Sequence, residues 1–467
     1  MRPAVLIVGV ITLVRIVVLA FARLDLFVDE SQYWLWGQEF AFGYYSKPPL
    51  IGWLIGAVTT LAGSDAPFWV RLPAPVLHGG TSLVLGGIAA QLFGARAGVM
   101  TAAGFVTLPM VALSSIFLST DVVMFLPLAG ALALYVQMLE RPTVGKALVA
   151  GGLLGLAFMA KYAAVYYLIC GGLAAVFWPV ARLSVRDVCL ILLAFVVVAG
   201  PNLWWNAVNG FTTFSHTLDN ADWVREPAAR AGLNFDGLVE FWAAQLAVFG
   251  PVLFPALFWF ALHRPGPVKG LLAAFSLPVL ALVSIQALLS GAYANWAAAA
   301  YIAGAILVLP HLPRWALATS FTLNGALCLA LPLLAVMGDH PAAAKAVERY
   351  KGRTEMSRAI AEQARASGAA WIVAEERQIL ADLFYTLRDD PLEIRSVPPV
   401  GRPLHHYAQH FAMTDRAPGK ILYATRSGQP PVCAPDATPV TTIAPETGAY
   451  RRGETALFLV PGDCWAQ

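Results

Sequence analysis

A helix that crosses a bilayer must pair every backbone N–H and C=O internally, and it needs about 20 consecutive apolar residues to do so. Eleven stretches of this chain read in that way: 3–22, 70–93, 98–117, 122–139, 147–160, 163–180, 188–205, 239–262, 270–289, 293–310 and 315–337, the fifth being short. So many such stretches point to an α-helical polytopic membrane protein of about 11 transmembrane helices. Ala20-Phe21-Ala22 also mimics a signal-peptidase site, but the apolar core before it is longer than a usual signal and more spans follow. With 58% hydrophobic and 13% charged residues, the chain is excluded as a soluble globular enzyme or a disordered protein. A net charge of only +3 carries no basic excess for nucleic acid.

The charges are unevenly placed. Residues 1–337 hold 29 of the 59 Asp, Glu, Lys and Arg, and the last 130 hold the other 30. Two domains follow from this: a membrane domain over 1–337, whose first outer loop is 23–69, and a water-exposed domain over 338–467. Lys and Arg set the orientation. A cytoplasmic N-terminus puts Arg2, Arg96, Arg141 with Lys146, Arg182 with Arg186, Arg264 with Lys269, and Arg314 on inner loops. Loops 23–69 and 206–237, Asp121 and the C-terminal domain then face outward, into the periplasm of a bacterial inner membrane. Cys170, Cys189 and Cys328 lie in apolar spans, whereas Cys433 and Cys464 lie in the outer domain, where a disulfide can persist; bridged and free states both stay open.

The C-terminal segment reads as a small α/β domain. A polar helix over 341–367 precedes a short apolar run at 370–374, then a helix over 375–388 and strand-like runs near 392–397, 420–425 and 455–460. His405, His406 and His410 read as solvated residues near a loop more readily than as a metal site. Gly151, Gly152 and Gly155 sit inside an apolar span and read as helix packing, not as a phosphate loop.

Charge near a membrane core is expensive and tends to be functional. The first outer loop concentrates it in Asp29-Glu30-Ser31-Gln32-Tyr33-Trp34-Leu35-Trp36 and in Tyr44-Tyr45-Ser46-Lys47-Pro48-Pro49. The aromatic residues suggest that 30–40 lies along the bilayer surface. Residues 49–64 suit an interfacial or re-entrant helix that starts after the two prolines. Lys47 then stands at a helix N-terminus, where a cation and free backbone N–H groups favour an anion such as phosphate.

Those motifs resemble the first outer loop of GT-C glycosyltransferases. Similarity is closest to the branch of the bacterial aminoarabinose (lipid A) transferases and the protein O-mannosyltransferases. Further matches are Phe68-Trp69-Val70-Arg71-Leu72-Pro73, Ser119-Thr120-Asp121, Met159-Ala160-Lys161-Tyr162 and Ala294-Asn295-Trp296, which together span 1–310 in order. The resemblance implies a GT-C membrane domain and a donor in which a polyprenyl phosphate carries one sugar. It also implies an acceptor hydroxyl on the outer face.

Asp29 then matches the family's catalytic acidic residue, which implies a role as general base, the competing reading being an N-cap for a helix starting at Glu30. Glu30 pairs with a cation or orients the sugar. Asp121 matches the second acidic position and also reads as an N-cap. Lys47, Arg71, Lys161 and Arg225 are the cations for the donor phosphate, with Arg71 and Lys161 equally readable as headgroup anchors. Tyr44, Tyr45, His216, Tyr293, Asn295 and Trp296 are the candidates for the sugar and acceptor pocket. Relatives often carry Glu before the lysine; Ser46 here argues against an aminoarabinose-like donor or acceptor. No cofactor is required on this reading, and a divalent metal held by 29, 30 and 121 is the less favoured option.

The expected activity is transfer of a single sugar to an envelope glycolipid such as lipid A. Protein O-glycosylation is the same-class alternative, and a lipid or sugar transporter is the rival from another class. Transporters bury charge near the midplane within inverted repeats. Here only Arg15 is deep in a span and no repeat is evident. The expected partners are the polyprenyl-phosphate sugar, the glycolipid or other envelope acceptor, and membrane lipids, without nucleic acid.

Overall fold

A computed structural model describes residues 1–221, 232–263 and 266–466. The chain forms two compact units. One comprises Met1–Phe21, Lys47–Ile51 and Arg71–Leu333; the other comprises Ala22–Ser46, Gly52–Val70 and Leu334–Gln467.

The first unit is helical, and all eleven apolar stretches contain helix. Among the described residues, six helices are long and apolar enough to cross a membrane: Arg2–Phe21, Pro67–Phe93, Thr120–Glu140, Val185–Val208, Pro267–Leu289 and Arg314–Val336. A seventh span is made if Phe235–Val248 and Leu253–Leu262, bent by 103°, count as one. The expectation of about 11 transmembrane helices, the fifth already short, is corrected by the other four stretches, which are shorter or broken. Val144–Ala160 and Tyr162–Phe177 are single short segments, as is Ala300–His311. Stretch 98–117 divides into Ala95–Val106 and Pro109–Leu113. Pro109 lacks an N–H and keeps Leu108 out of helical geometry, which ends the first piece.

Small residues set the close packing of this unit. A Cβ at Gly151 would strike the Ile191 carbonyl, and one at Gly155 would strike Val198, so helix Val144–Ala160 lies tight on Val185–Val208. Arg15 is 1% exposed and turns inward, donating to the Val106 carbonyl at 2.8 Å and contacting Cys328 Sγ at 3.2 Å. Leu6, Leu13 and Val17 on the same helix are exposed, which supplies an apolar outer face.

The second unit contains a five-stranded sheet of β1 (Ala369–Ala374), β2 (Glu393–Ser396), β3 (Lys420–Thr425), β4 (Pro439–Ile443) and β5 (Thr455–Val460) in the order β2-β1-β3-β5-β4. β1 pairs in parallel with β2 and β3, and β5 runs antiparallel to β3 and β4. Helix Arg377–Thr386 connects β1 to β2. Its Ile379, Leu380 and Leu383 pack with Ile372 and Leu422 of the sheet and Ile360 of helix Arg353–Ala366. β4, largely exposed, carried no run apolar enough to be expected. The single polar helix expected over 341–367 is two, Pro341–Val347 and Arg353–Ala366, parted by a 3₁₀ turn and by Gly352 at φ +77°. Cys433 and Cys464 are joined in a disulfide.

Helix Val28–Gly37 belongs to this second unit, and its surroundings correct the bilayer-surface reading of 30–40. Glu30, Ser31, Gln32, Tyr33, Trp34 and Trp36 are all buried. Trp34 donates to Asp65 at 2.8 Å and meets Tyr385 edge-on, while Trp36 stacks flat on Tyr44. Val28 and Leu35 join the core of the α/β sheet. The aromatic residues are spent on protein contacts, not on lipid.

Candidate active site

The acidic residues singled out from the sequence head two separate arrays, one in each unit. In the second unit, helix Val28–Gly37 has Phe27 as its N-cap, so Asp29 is in the first turn and is not the cap. The capping carboxylate is Glu30, 2% exposed, which accepts from the Phe27 N–H at 3.0 Å. Glu30 is thereby placed for helix structure, while Asp29 presents its carboxylate sideways, with 45% of the side chain exposed.

Arg377, the first residue of its helix, meets it there. Nη2 donates to Asp29 Oδ1 at 2.5 Å and Nε donates to Gln32 Oε1 at 2.8 Å. Gln32, 1% exposed, in turn reaches Ser46 Oγ at 3.4 Å. Burial of the guanidinium works against its charge, but Asp29 beside it holds Arg377 above the ordinary arginine value. With side chains 38% and 45% exposed, the pair is worth about 1 kcal/mol or less, so it is held in place yet easily exchanged.

The neighbouring tyrosines differ in what they leave available. The Tyr44 hydroxyl lies 2.7 Å from the carbonyls of both Trp36 and Glu39, and burial pushes it up to about 12. Tyr45 donates to the Pro403 carbonyl at 3.0 Å and is raised by burial, against the nearby Arg402 and Arg377 charges. His405 and His406 are buried, which corrects the solvated reading. His405 contacts the Glu375 carbonyl at 2.8 Å and His406 meets Trp36 edge-on. Burial lowers all three histidines, His405, His406 and His410, toward the neutral form. Among the described residues, no three His, Cys, Asp or Glu are grouped to hold a metal ion.

In the first unit, Asp121 occupies the first turn of Thr120–Glu140, behind the N-cap Ser119. Lys161 Nζ donates to both its oxygens, at 2.7 and 2.9 Å, and Asn295 Nδ2 donates to Oδ2 at 2.7 Å. Lys161 ends helix Val144–Ala160 with extended backbone, and Asn295 sits in a 3₁₀ turn. Two candidates of different assigned roles therefore converge on a third. Lys161 neutralises Asp121 in this structure, with side chains 16% and 10% exposed.

Arg71 is 1% exposed, with its guanidinium 5.3 Å from the centre of the Phe117 ring. Lys47 is half-buried just before helix Leu50–Ala62. Tyr293 is 71% exposed and contacts the half-buried Trp296. His216 pairs with Asn220 at 3.2 Å on helix Thr212–Asn220. Arg225 lies outside the described residues.

Arg377 and Gln32 were not singled out from sequence. A lone arginine 348 positions from its aspartate leaves no local signal, and Gln32 differs from other loop amides only in what it touches.

A family profile described as dolichyl-phosphate-mannose-protein mannosyltransferase matches residues 46–205. The chain is 40% identical over 476 aligned positions to the lipid A galacturonosyltransferase RgtD of Rhizobium johnstonii (strain DSM 114642 / LMG 32736 / 3841), covering 100% of this chain and 99% of that protein. Among solved structures it is similar to apo ArnT from Cupriavidus metallidurans. That likeness has a TM-score of 0.66 over 99% of this chain and 98% of ArnT at 14% identity, and it establishes the fold.

Proposed function

Because the chain belongs to the GT-C glycosyltransferases, in the branch of the lipid A transferases, we propose that it moves one galacturonic acid residue from a polyprenyl-phosphate donor to a hydroxyl of lipid A. The observation that carries this reading is the end-to-end likeness, at 40% identity, to a protein named for that transfer. Ser46 agrees with it, since the loop there presents a hydroxyl where a carboxylate would repel an acidic sugar.

On this reading the acceptor oxygen attacks the anomeric carbon as Asp29 takes its proton. The C1–O bond to phosphate breaks, and the polyprenyl phosphate leaves with the electron pair, inverting the centre. Lys47 and Arg71 are the cations we assign to the growing phosphate charge. Asp121, held by Lys161 and Asn295, keeps the outer ends of three helical segments in register. The active face is periplasmic, with 338–467 on that side of the inner membrane and the N-terminus in the cytoplasm. The cations at Arg2, Arg96, Arg141 and Arg314 support that orientation. No divalent metal is assigned a role.

The experiment is mass spectrometry of lipid A from wild-type, deletion and complemented strains. Loss of one hexuronic acid mass in the deletion, restored by the wild-type gene and not by Asp29→Asn at equal abundance, supports the reading. An unchanged lipid A spectrum with loss of glycan from envelope proteins would favour the protein O-glycosyltransferase alternative suggested by the family profile.

A further inference from the structure

A uronic acid differs from its parent hexose by a carboxylate, so selecting it calls for a cation where that group arrives. The second unit offers several arginines, and their surroundings separate them. Arg353 is only 6% exposed at its side chain and is already saturated by the buried Asp382. Arg388 is shared between Asp65 and Asp389, and Arg395 is taken by Glu393. Arg388 and Arg395 are exposed to a similar degree, at 30% and 29% against 38% for Arg377, and what separates Arg377 is that its partner is the acid assigned to proton transfer.

Its fork is held in a particular way. The buried Gln32 fixes the guanidinium through Nε and leaves the adjoining Nη2 to bind a carboxylate, which in this structure is the chain's own Asp29. A guanidinium presents two parallel N–H groups, the geometry that a carboxylate matches. A second feature lies beside it. Tyr407 is fully buried, its hydroxyl has no hydrogen-bond partner among the described residues, and the charges of Arg377 and Asp29 both bear on it. A buried donor without an acceptor marks a position that a further polar group can fill. While Asp29 Oδ1 accepts from Arg377 Nη2, that oxygen is engaged by the arginine and not by the proton of an incoming hydroxyl.

Resting on the galacturonosyl reading above, we propose that Arg377 is the residue that recognises the donor's uronate carboxylate, and that in taking it Arg377 releases Asp29 to accept the proton of the attacking hydroxyl. One carboxylate replaces another at the guanidinium, and the proton that Asp29 then takes from the attacking hydroxyl neutralises the extra negative charge that the donor brings in. A donor sugar without the carboxylate leaves Asp29 paired and the base suppressed. Selectivity and activation are thus one event.

The test uses the full-length protein in lipid nanodiscs with lipid A as acceptor and two donors on the same polyprenyl phosphate, galacturonate and galactose. Wild type should prefer the uronate by about 100-fold in kcat/KM, and Arg377→Gln should bring the two donors within about fivefold, chiefly through a raised KM for the uronate. With the galactose donor the variant should exceed wild type, and the acidic limb of its pH–rate profile should move upward once the cation beside Asp29 is gone. Arg377→Lys keeps the charge but not the fork, and should retain a preference of about tenfold, which covers the case of poor folding in the glutamine variant. An equal fall in kcat for both donors would reduce Arg377 to positioning Asp29 and overturn the proposal. Undiminished preference in Arg377→Gln would overturn it as well. Wild type that turns over neither donor would instead overturn the functional reading on which the proposal rests.

Discussion

Asp29→Asn separates the chemistry of Asp29 from its packing. Asparagine keeps the shape, and its carbonyl oxygen still accepts from Arg377 Nη2, but it takes no proton. The ion pair it loses is 45% and 38% exposed, so its worth after solvent screening is about 1 kcal/mol or less. The helix N-terminus is capped by Glu30 on Phe27, not by Asp29, so no cap is lost. The fold should therefore weaken by about 1 kcal/mol at most. Removing a general base costs about 10²–10⁴ in rate, which is about 3–5 kcal/mol of barrier. Initial rates and thermal unfolding measured on one nanodisc preparation, at saturating donor, compare the two numbers directly. Turnover within tenfold of wild type in a folded sample would remove Asp29 from proton transfer. Activity that falls only in step with the folded fraction would make its role structural.

Other consequences follow from the remaining contacts. Arg353 and Asp382 have side chains 6% and 1% exposed, with Tyr450 donating to the same carboxylate at 2.6 Å; Arg353→Ala should destabilise the second unit by about 3–5 kcal/mol in chemical denaturation, far more than Arg377→Gln. Burial pushes Asp382 up to about 6 against the pull of Arg353. A folded pKa above the unfolded value favours the protonated fold, so this group's contribution is fully present below about pH 4 and is lost as pH rises through about 6. Asp382→Asn should flatten that segment of the stability–pH curve. The Cys433–Cys464 bridge closes a separation of 31 residues, and Cys433→Ser should cost about 3–4 kcal/mol by loop entropy, read as earlier proteolysis of the C-terminal region. Transfer should be unchanged by a chelator, since the reading assigns phosphate charge to lysine and arginine; loss restored by a divalent ion would reverse that assignment.

Much of the membrane unit was legible because the bilayer imposes a local rule. Length and apolarity of a contiguous stretch decide whether a helix can cross, and both can be read without knowing any neighbour. Broken stretches were the exception. Pro109 and Gly250-Pro251 interrupt runs whose composition is apolar throughout, and hydropathy does not register a bend. Asp29, Asp121, Lys161 and Asn295 were each visible as polar residues in ordered family motifs. That the last three form one hydrogen-bonded cluster was not visible, since the partners lie 40 and 174 positions from Asp121.

The sequence alone determined that the chain is a polytopic helical protein with a polar α/β domain after it, and which loop holds its acids. Only the tertiary structure decided what surrounds those acids. Trp34 and Trp36 are equally apolar against lipid or protein, so their residue types do not choose between a bilayer surface and the core into which they pack. Arg377 carries no motif, and its meaning comes from helix Val28–Gly37 packing beside helix Arg377–Thr386, which places a guanidinium on Asp29 across 348 residues. Spanning is a property of a segment and its solvent. A site is a property of segments meeting, and long-range packing decides which ones meet.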